Sequence, residues 1–530
     1  MRAKRTQVIV LILALAVVVF AGLNSQRYFF RLDLTRNRAY SISRVSKNLF
    51  QEIPEQVFIT YYVSDKLKTL YPFPAQIEDL LLQYAAFSRG RIKVAVLDPT
   101  AAGQTVESLG IFPQQIEVVE QDELTYATVY TGIVIQYLDR YETLPVVFRL
   151  DSLEYDLSSR IRAVVRNEKK VIGLLSGDDR SFSQDYRTAM SILSLDFTVR
   201  ELERGATIPE DVTVLCVFGN KDLDSFDLFP IDQYIMSGGH ALFGVEGVRM
   251  DLLRGLEASS LGSSPLLDML ETYGVRVLRE QVLDVYSQNF RQPRQVFGQV
   301  MWEIIGKYPH WITIAEQFVA RDNPVTARFA GLDLYWASPL ELEPREGVEE
   351  EMLIKTTPEA WSMAERFETD PQRAESLLFM EHENRGQRTV AASLSGSLPS
   401  YFAGREIPTR AGEEREWETV RERSGETRVL VVGDSDFASE IFQYTDAAYN
   451  LDFLANAAGW LANEEDLLEI KTRTTRDMRL NKIQDREARS SLALFTEVFT
   501  VVFLPLLVIA FGLIRYALRR KRSIMNKLED

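Results

Sequence analysis

Two short turns hold the residues best placed to do chemistry, Gly177-Asp178-Asp179 and Gly433-Asp434-Ser435-Asp436. Each directly follows an apolar run, Val171–Leu175 in one case and Arg428–Val432 in the other. Carboxylates at such positions could hold Mg²⁺, because hard cations take oxygen ligands and open α/β sheets bind ligands beyond the carboxyl ends of their strands. The same residue types also make tight turns and cap the helix that follows. Asp178, Asp179, Asp434 and Asp436 are therefore read first as turn and cap residues, and as metal ligands second.

Other nucleophile and ligand patterns are weaker. Cys216 lies inside the apolar run Val212–Gly219, whereas a nucleophilic cysteine needs an exposed turn and a neighbouring base. Ser237 precedes Gly238-Gly239, but Ile235 stands where a GxSxG elbow needs its first glycine. The glycine pair follows a helical pattern instead of opening one, so it reads as a helix stop and not a phosphate loop. His240, His310 and His382 are widely spaced, and neither an HExxH pattern nor a Walker A loop occurs. Trp302, Trp311, Tyr335, Trp336 and Trp361 could line a carbohydrate groove, although core packing is the simpler reading. The expected outcome is no catalytic residue and no cofactor.

With 530 residues, 46% hydrophobic and 11% aromatic, the chain has room for folded domains. Its net charge of −16 argues against nucleic acid, since phosphate binding needs clustered cations. A single cysteine excludes disulfide frameworks and zinc ribbons.

Two uncharged apolar stretches frame the chain. The first runs from Thr6 to Gln26 behind Arg2, Lys4 and Arg5. The second, Val498–Ile514, is extended upstream by Leu492–Phe495 and followed by Arg515, Arg519, Arg520, Lys521 and Arg522. At about 1.5 Å per residue each covers most of a hydrocarbon core of about 30 Å, so both read as transmembrane helices. A cleaved signal peptide is the alternative for the first. Basic residues flank the outer end of each run, which puts both termini in the cytoplasm and the bulk of the chain outside it. Pro505 should kink the second span, and Glu497 stands at its outer edge. With Arg515, Arg519 and Arg520 these are the expected membrane and partner contacts.

Between the spans, Val57–Val63 and Ile92–Leu97 read as strands, separated by a helical pattern of Ile77, Leu80, Leu81, Tyr84 and Phe87. That spacing predicts a parallel pair with a right-handed crossover. Strands near Gln115–Val119, after Pro113, and at Gly132–Tyr137 complete an α/β domain over 27–150. The order resembles a thioredoxin-like fold, and the absence of CxxC excludes thiol redox chemistry. Leu153–Val165 reads as a connecting helix over 151–169. From 170 to 463, strands at Lys170–Leu175, Phe197–Glu201, Val212–Gly219, His240–Val245 and Arg428–Val432 alternate with helices near Tyr186–Leu193, Pro230–Met236, Leu266–Tyr273 and Tyr449–Ala462. Near-continuous apolar strands predict a doubly wound parallel sheet. About 297–425 reads as an irregular insertion with strands at Met352–Lys355 and Arg388–Leu394. Residues 464–491 read as a charged stalk, 492–518 as the second span and 519–530 as a basic tail.

The ordered set of Leu32-Asp33-Leu34-Thr35, Tyr40-Ser41-Ile42-Ser43, Asp98-Pro99, Leu153-Glu154-Tyr155, Val171–Leu175, Ile208-Pro209, Gly238-Gly239, Tyr273-Gly274-Val275, Asn323-Pro324-Val325-Thr326 and Val431–Phe437 resembles the GldG-type auxiliary component of gliding-motility ABC transport systems. The resemblance implies a membrane-tethered accessory subunit that works with separate permease and ATPase subunits in the lipid bilayer. Its outer domain would bind envelope polysaccharide or a protein cargo. It also implies a middle domain similar to class I amidotransferase-like folds. Enzymes of that fold need a cysteine at a strand-to-helix turn, whereas Cys216 is followed by Val217-Phe218-Gly219, so no catalytic residue carries over. Two other readings stand beside this one: a stand-alone polysaccharide-binding module of the envelope, and a divalent-metal hydrolase built on Asp178, Asp179, Asp434 and Asp436.

Overall fold

The computed structural model describes residues 42–99, 106–120, 123–148, 150, 153–166, 169–251, 255–296, 299–326, 329–410, 419–463, 470 and 512. Both expected spans, with Glu497, Pro505, Arg515, Arg519 and Arg520, lie outside them, Gly512 excepted, as does the stalk apart from Ile470. Among the described residues no helix is long and apolar enough to cross a membrane.

Ser43 starts the first helix, α1 (Arg44–Glu52), by accepting from the Ser46 N–H at 2.9 Å. In β1 (Val57–Val63) alternate residues point to opposite faces, so Val57, Ile59, Tyr61 and Val63 are buried while Phe58 is exposed. After α2 (Asp65–Leu70), Pro74 in the first turn helps start α3 (Phe73–Phe87), which buries Ile77, Leu81 and Tyr84. The chain then enters β2 (Ile92–Leu97), parallel to β1 as the spacing required. The strand expected near Gln115–Val119 exists as β3 (Gln114–Glu120), but it pairs with β4 (Glu123–Val129) in a separate two-stranded sheet. Gln and Glu in β3, and Glu and Thr in β4, stand where a core strand would carry apolar residues, which explains why β4 had no hydrophobic signal. The main sheet is completed by β5 (Thr131–Tyr137), antiparallel to β1, and β6 (Arg140–Leu144), giving the order β2-β1-β5-β6. The helix expected as a connector, α4 (Leu153–Arg166), adds Leu153, Leu157, Ile161 and Val164 to this core.

The second sheet begins with β7 (Val171–Ser176), α5 (Arg187–Asp196), β8 (Thr198–Glu201), β9 (Val212–Phe218), α6 (Ser225–Met236) and β10 (His240–Gly244). A long excursion follows: β11 (Val248–Asp251), β12 (Glu257–Ser260), α7 (Pro265–Tyr273), β13 (Val275–Val277), β14 (Gln281–Leu283), β15 (Ser287–Val296), β16 (Gln299–Ile314), β17 (Leu332–Tyr335), β18 (Leu340–Leu342), β19 (Val348–Lys355), β20 (Trp361–Met363) and β21 (Thr389–Gly396). The chain then returns through β22 (Thr427–Val432) to α8 (Tyr449–Leu461). The strand order is β13-β18-β21-β22-β10-β9-β7-β8, with β19 on β21.

From β22 to β8 the strands are parallel. Their period of two divides the apolar side chains between two layers. Val214, Cys216, Phe218, Leu242, Leu430 and Val432 pack with α5 and α8, whereas Leu215, Val217, Ala241, Phe243, Val429 and Val431 pack with α6 and α7. The expectation of a parallel sheet fails at β21, which is antiparallel to β22, and at β18 and β19, which are antiparallel to β21. The stretch expected to be irregular also contains β16, paired in a long ribbon with β15 just before it; Gln and Arg in β15 and Pro309 in β16 hid the pair.

Asn450, fully buried in the first turn of α8, joins these layers. Its side chain accepts from the Asp333 N–H at 2.9 Å and donates to the carbonyls of Asp333 at 2.8 Å and Phe437 at 2.7 Å. Asn450→Ala strands three backbone groups away from water and is expected to destabilise the chain by about 2–4 kcal/mol, read as a lowered urea midpoint.

Candidate functional site

The parallel strands β22, β10, β9 and β7 are neighbours, so the turns that follow them share one rim. The chain leaves β7 for β8 on one side and then crosses to β9 on the other, which puts the topological switch point between β7 and β9. That crevice is filled by the protein itself. A Cβ on Gly177 would fall 2.0 Å from the Gly219 carbonyl oxygen, and one on Gly219 would meet the Asp178 carboxyl carbon at 2.4 Å. Gly219 also has φ +85, a conformation that disfavours any side chain. Asp178 Oδ1 then accepts from the backbone N–H groups of Asn220 and Lys221, both at 2.9 Å.

Charges from all four turns meet over this plug. Lys221 Nζ lies 3.0 Å from Asp178 Oδ2 and 2.6 Å from Glu246 Oε2. The Ser435 hydroxyl donates to the other Glu246 oxygen, and Asn220 brackets the Glu246 backbone at 2.9 and 3.0 Å. Arg180 pairs with Asp436 through both carboxylate oxygens, and the Tyr186 hydroxyl donates to the Ser435 carbonyl at 3.2 Å. Asp434 accepts from the backbone N–H groups of Tyr335 and Asp436, both at 2.6 Å.

The environment separates the two aspartates of the last turn. Burial raises Asp434 well above the ordinary carboxylate range, and the charge of Asp436 adds to that. Burial is the largest single effect on Asp436 as well, but Arg180, together with Lys221 and the Ser439 hydroxyl, outweighs it and holds the carboxylate below its usual value. Burial pulls the Lys221 pKa down, and Glu246 and Asp178 more than reverse this. Asp436 is thus the charged member of the pair.

Three of the four aspartates singled out in the sequence, Asp178, Asp434 and Asp436, are buried on this rim, whereas Asp179 is exposed. Glu246, Asp434 and Asp436 have carboxylate oxygens within 4.8 Å of one another, a spacing compatible with a cation. Lys221 and Arg180 already contact two of the three. Sequence reasoning missed Arg180, Asn220, Lys221 and Glu246. Their signal was available, since each of the four apolar strands is followed within a few residues by a charged or amide side chain.

The other candidates resolve into structure. Cys216 is fully buried, and burial pushes its thiol up to about 12. Ser237 donates to the Tyr234 carbonyl at 2.6 Å where α6 ends, and Gly239 N–H closes the same turn on that oxygen at 3.0 Å. Trp311, Tyr335 and Trp336 are buried in one aromatic cluster with Tyr308, while Trp361 is buried and stacked on His382 at 4.2 Å between ring centroids. Trp302 alone of the five is exposed, at 55%, edge-on to Tyr444.

Lys221→Met leaves Asp178 and Glu246 buried beside no ammonium, and should destabilise the chain by about 3–5 kcal/mol, with Lys221→Arg recovering part of this in urea denaturation. A second prediction concerns His310. It is fully buried, its Nε2–H reaches the Glu368 carbonyl at 2.8 Å, and its Nδ1 has no partner among the described residues. Burial lowers its pKa from 6.5 to about 4. The neutral ring stabilises the fold fully above pH 6.5, and that contribution, about 3 kcal/mol, is lost as pH falls toward 4. Urea midpoints measured from pH 7 to pH 4 should fall accordingly, and less steeply in His310→Phe.

A family model described as an ABC-type uncharacterized transport system matches residues 169–457, more than half of the chain and nearly all of the span from β7 to α8. A second model, a domain of unknown function, matches residues 36–136. A Borreliella burgdorferi chain described as an uncharacterized protein is 25% identical over 535 residues, covering 99% of this chain and 100% of the relative. A crystal structure of a ThuA-like protein from Bacteroides uniformis covers 56% of this chain and 92% of its own at 11% identity, with a TM-score of 0.28. So loose a likeness leaves the fold to be argued from the strand order. On the match from β7 to α8, the chain belongs to the auxiliary family of ABC-type transport systems.

Proposed function

We propose that the chain is a non-catalytic, membrane-anchored auxiliary subunit of an ABC-type transport complex, working beside separate permease and ATPase subunits. The family match supports the transport system. The observation that carries the non-catalytic reading is the filled switch point. A ligand of this kind of sheet would sit where Gly177 and Gly219 touch and where Lys221 bridges Asp178 to Glu246. Chemistry there would need a free nucleophile or a metal, and the rim carboxylates instead hold one another through Lys221 and Arg180.

The apolar runs at 6–26 and 492–518 support two spans in the cytoplasmic membrane, both termini inside and the folded body outside. The order β2-β1-β5-β6, closed by α4, supports a thioredoxin-like unit that serves as a binding scaffold. On this reading the body engages cargo or an envelope component. Burial of four of the five aromatic residues weighs against a stand-alone polysaccharide groove.

Affinity purification of the full chain from its native membranes in mild detergent should recover an ABC ATPase and its permease. Replacing 492–518 with an unrelated apolar helix should keep the chain in the membrane and lose those partners. Recovery of the intact chain with neither subunit would contradict the proposal.

A further inference from the structure

At the end of the second sheet away from the rim, four strands bring one residue each into a row. Glu349 of β19 pairs in register with Ser395 of β21, Ser395 with Arg428 of β22, and His240 opens β10 beside Arg428. The next row holds Glu351, Ser393 and Leu430, and this leucine belongs to the apolar layer under α8. Residues paired in register share a face, so both rows lie on the α8 side of the sheet. Helix α8 ends at Leu461, and there the layer beneath it turns from apolar to polar. A cleft of about 660 Å³ remains, bordered also by Trp460 and Asn463. That volume is within the range of small-molecule sites.

The basic groups of the cleft are already engaged. Arg428 donates to the Trp460 carbonyl at 3.0 Å, and its guanidinium lies 5.1 Å from the centre of the Trp460 ring. His240 Nδ1 accepts from the Arg428 N–H at 3.0 Å, and its Nε2 meets the Asn463 side chain at 3.0 Å. Burial, with Arg428 and Lys170 nearby, lowers the His240 pKa, so the ring carries no charge at neutral pH.

The acceptors are not. Glu349, Glu350, Glu351 and Glu426 border the cleft, against one arginine. Glu351 accepts from the Asn323 side chain at 2.6 Å, whereas the Glu349 and Glu426 carboxylates make no ion pair or hydrogen bond among the described residues. Ser393 is more telling. It is only 4% exposed and lines the cleft, yet its hydroxyl has no hydrogen-bond partner among the described residues. A hydroxyl so buried is normally paired, so this one calls for a ligand. The carboxylates beside it have lone pairs to spare, which call for donors and positive charge.

We propose that this cleft binds a linear polyamine, its ammonium groups meeting Glu349 and Glu351 and its N–H donors satisfying Ser393 and Ser395. The two glutamates are two residues apart on one strand, about 6.5 Å at the backbone, which suits nitrogens spaced along a chain better than one point charge. Among the described residues the acids that come together at metal spacing are Glu246, Asp434 and Asp436, and no glutamate of the cleft is with them. Arg428 repels a further cation at the other side of the row, which lays the polyamine along β19 and β21. The site stands apart from the transport reading and holds whether or not the chain works in such a complex.

Calorimetric titration of the intact chain with spermidine tests this, and one saturable site below about 1 mM is expected. Glu349→Gln, which removes a charged acceptor, should weaken it at least about tenfold, and Ser393→Ala about threefold. Glu349 is exposed, so its replacement should leave the urea midpoint unchanged. Ser393→Ala removes an unpaired buried hydroxyl and should keep or raise that midpoint. Glu257→Gln, an exposed acid on β12, controls for net charge and should change neither binding nor stability. Equal weakening by Glu349→Gln and Glu257→Gln, or no saturable heat up to about 1 mM spermidine, would overturn the site. Tighter binding of a trilysine peptide than of spermidine would overturn the polyamine assignment in favour of a basic protein segment.

Discussion

The buried charges at the ends of β7, β9, β10 and β22 are the constraint on which the second domain depends. Taking a carboxylate out of water costs several kcal/mol unless a partner meets it with good geometry. Asp178, Glu246 and Asp436 are all buried, and each finds its cation on a different turn or a different part of the same rim. Lys221 follows β9 and serves acids that follow β7 and β10, while Arg180 follows β7 and serves an acid that follows β22. The neighbouring positions of β22, β10, β9 and β7 bring all three contacts together on one rim. Separating β7 from β9, β9 from β10, or β7 from β22 would leave a charge buried without its partner.

The same constraint shapes what the rim can do. Doubly wound sheets offer a crevice at their switch point, and many proteins leave it open for a ligand. Here the glycines at Gly177 and Gly219 bring two turns into backbone contact, and Asp178 occupies the remaining space. The result is a close-packed rim whose charges pair with one another. Such a rim is in keeping with the non-catalytic auxiliary role proposed above for a member of an ABC-type transport family.

Much of this was legible in the residues. The strands β1, β2, β5, β7, β9, β10 and β22 and the helices α3, α5, α6, α7 and α8 follow from apolar periodicity, glycine stops and proline starts. The misses share a cause. In β15, β3 and β4 polar Gln, Glu, Thr and Arg interrupt the apolar pattern, and in β16 Pro309 interrupts it. The antiparallel direction of β21 was hidden because both of its faces are buried like those of a parallel strand, so its residues read alike in either direction. At the rim, the paired acidic turns were visible in the sequence. Their cations were not, since Arg180 is next to Asp179 in sequence yet serves Asp436, and Lys221 is close to neither of its acids.

The rim carboxylates are neutralised from within by Lys221 and Arg180. Calorimetric titration of the intact chain with Mg²⁺ and with Ca²⁺ measures this directly. Lys221 and Arg180 in place predict no saturable heat up to about 1 mM of either ion, the upper end of ordinary carboxylate sites. A saturable site well below that concentration, lost in Asp434→Asn, would show that Glu246, Asp434 and Asp436 are metal ligands and that the rim is a site after all.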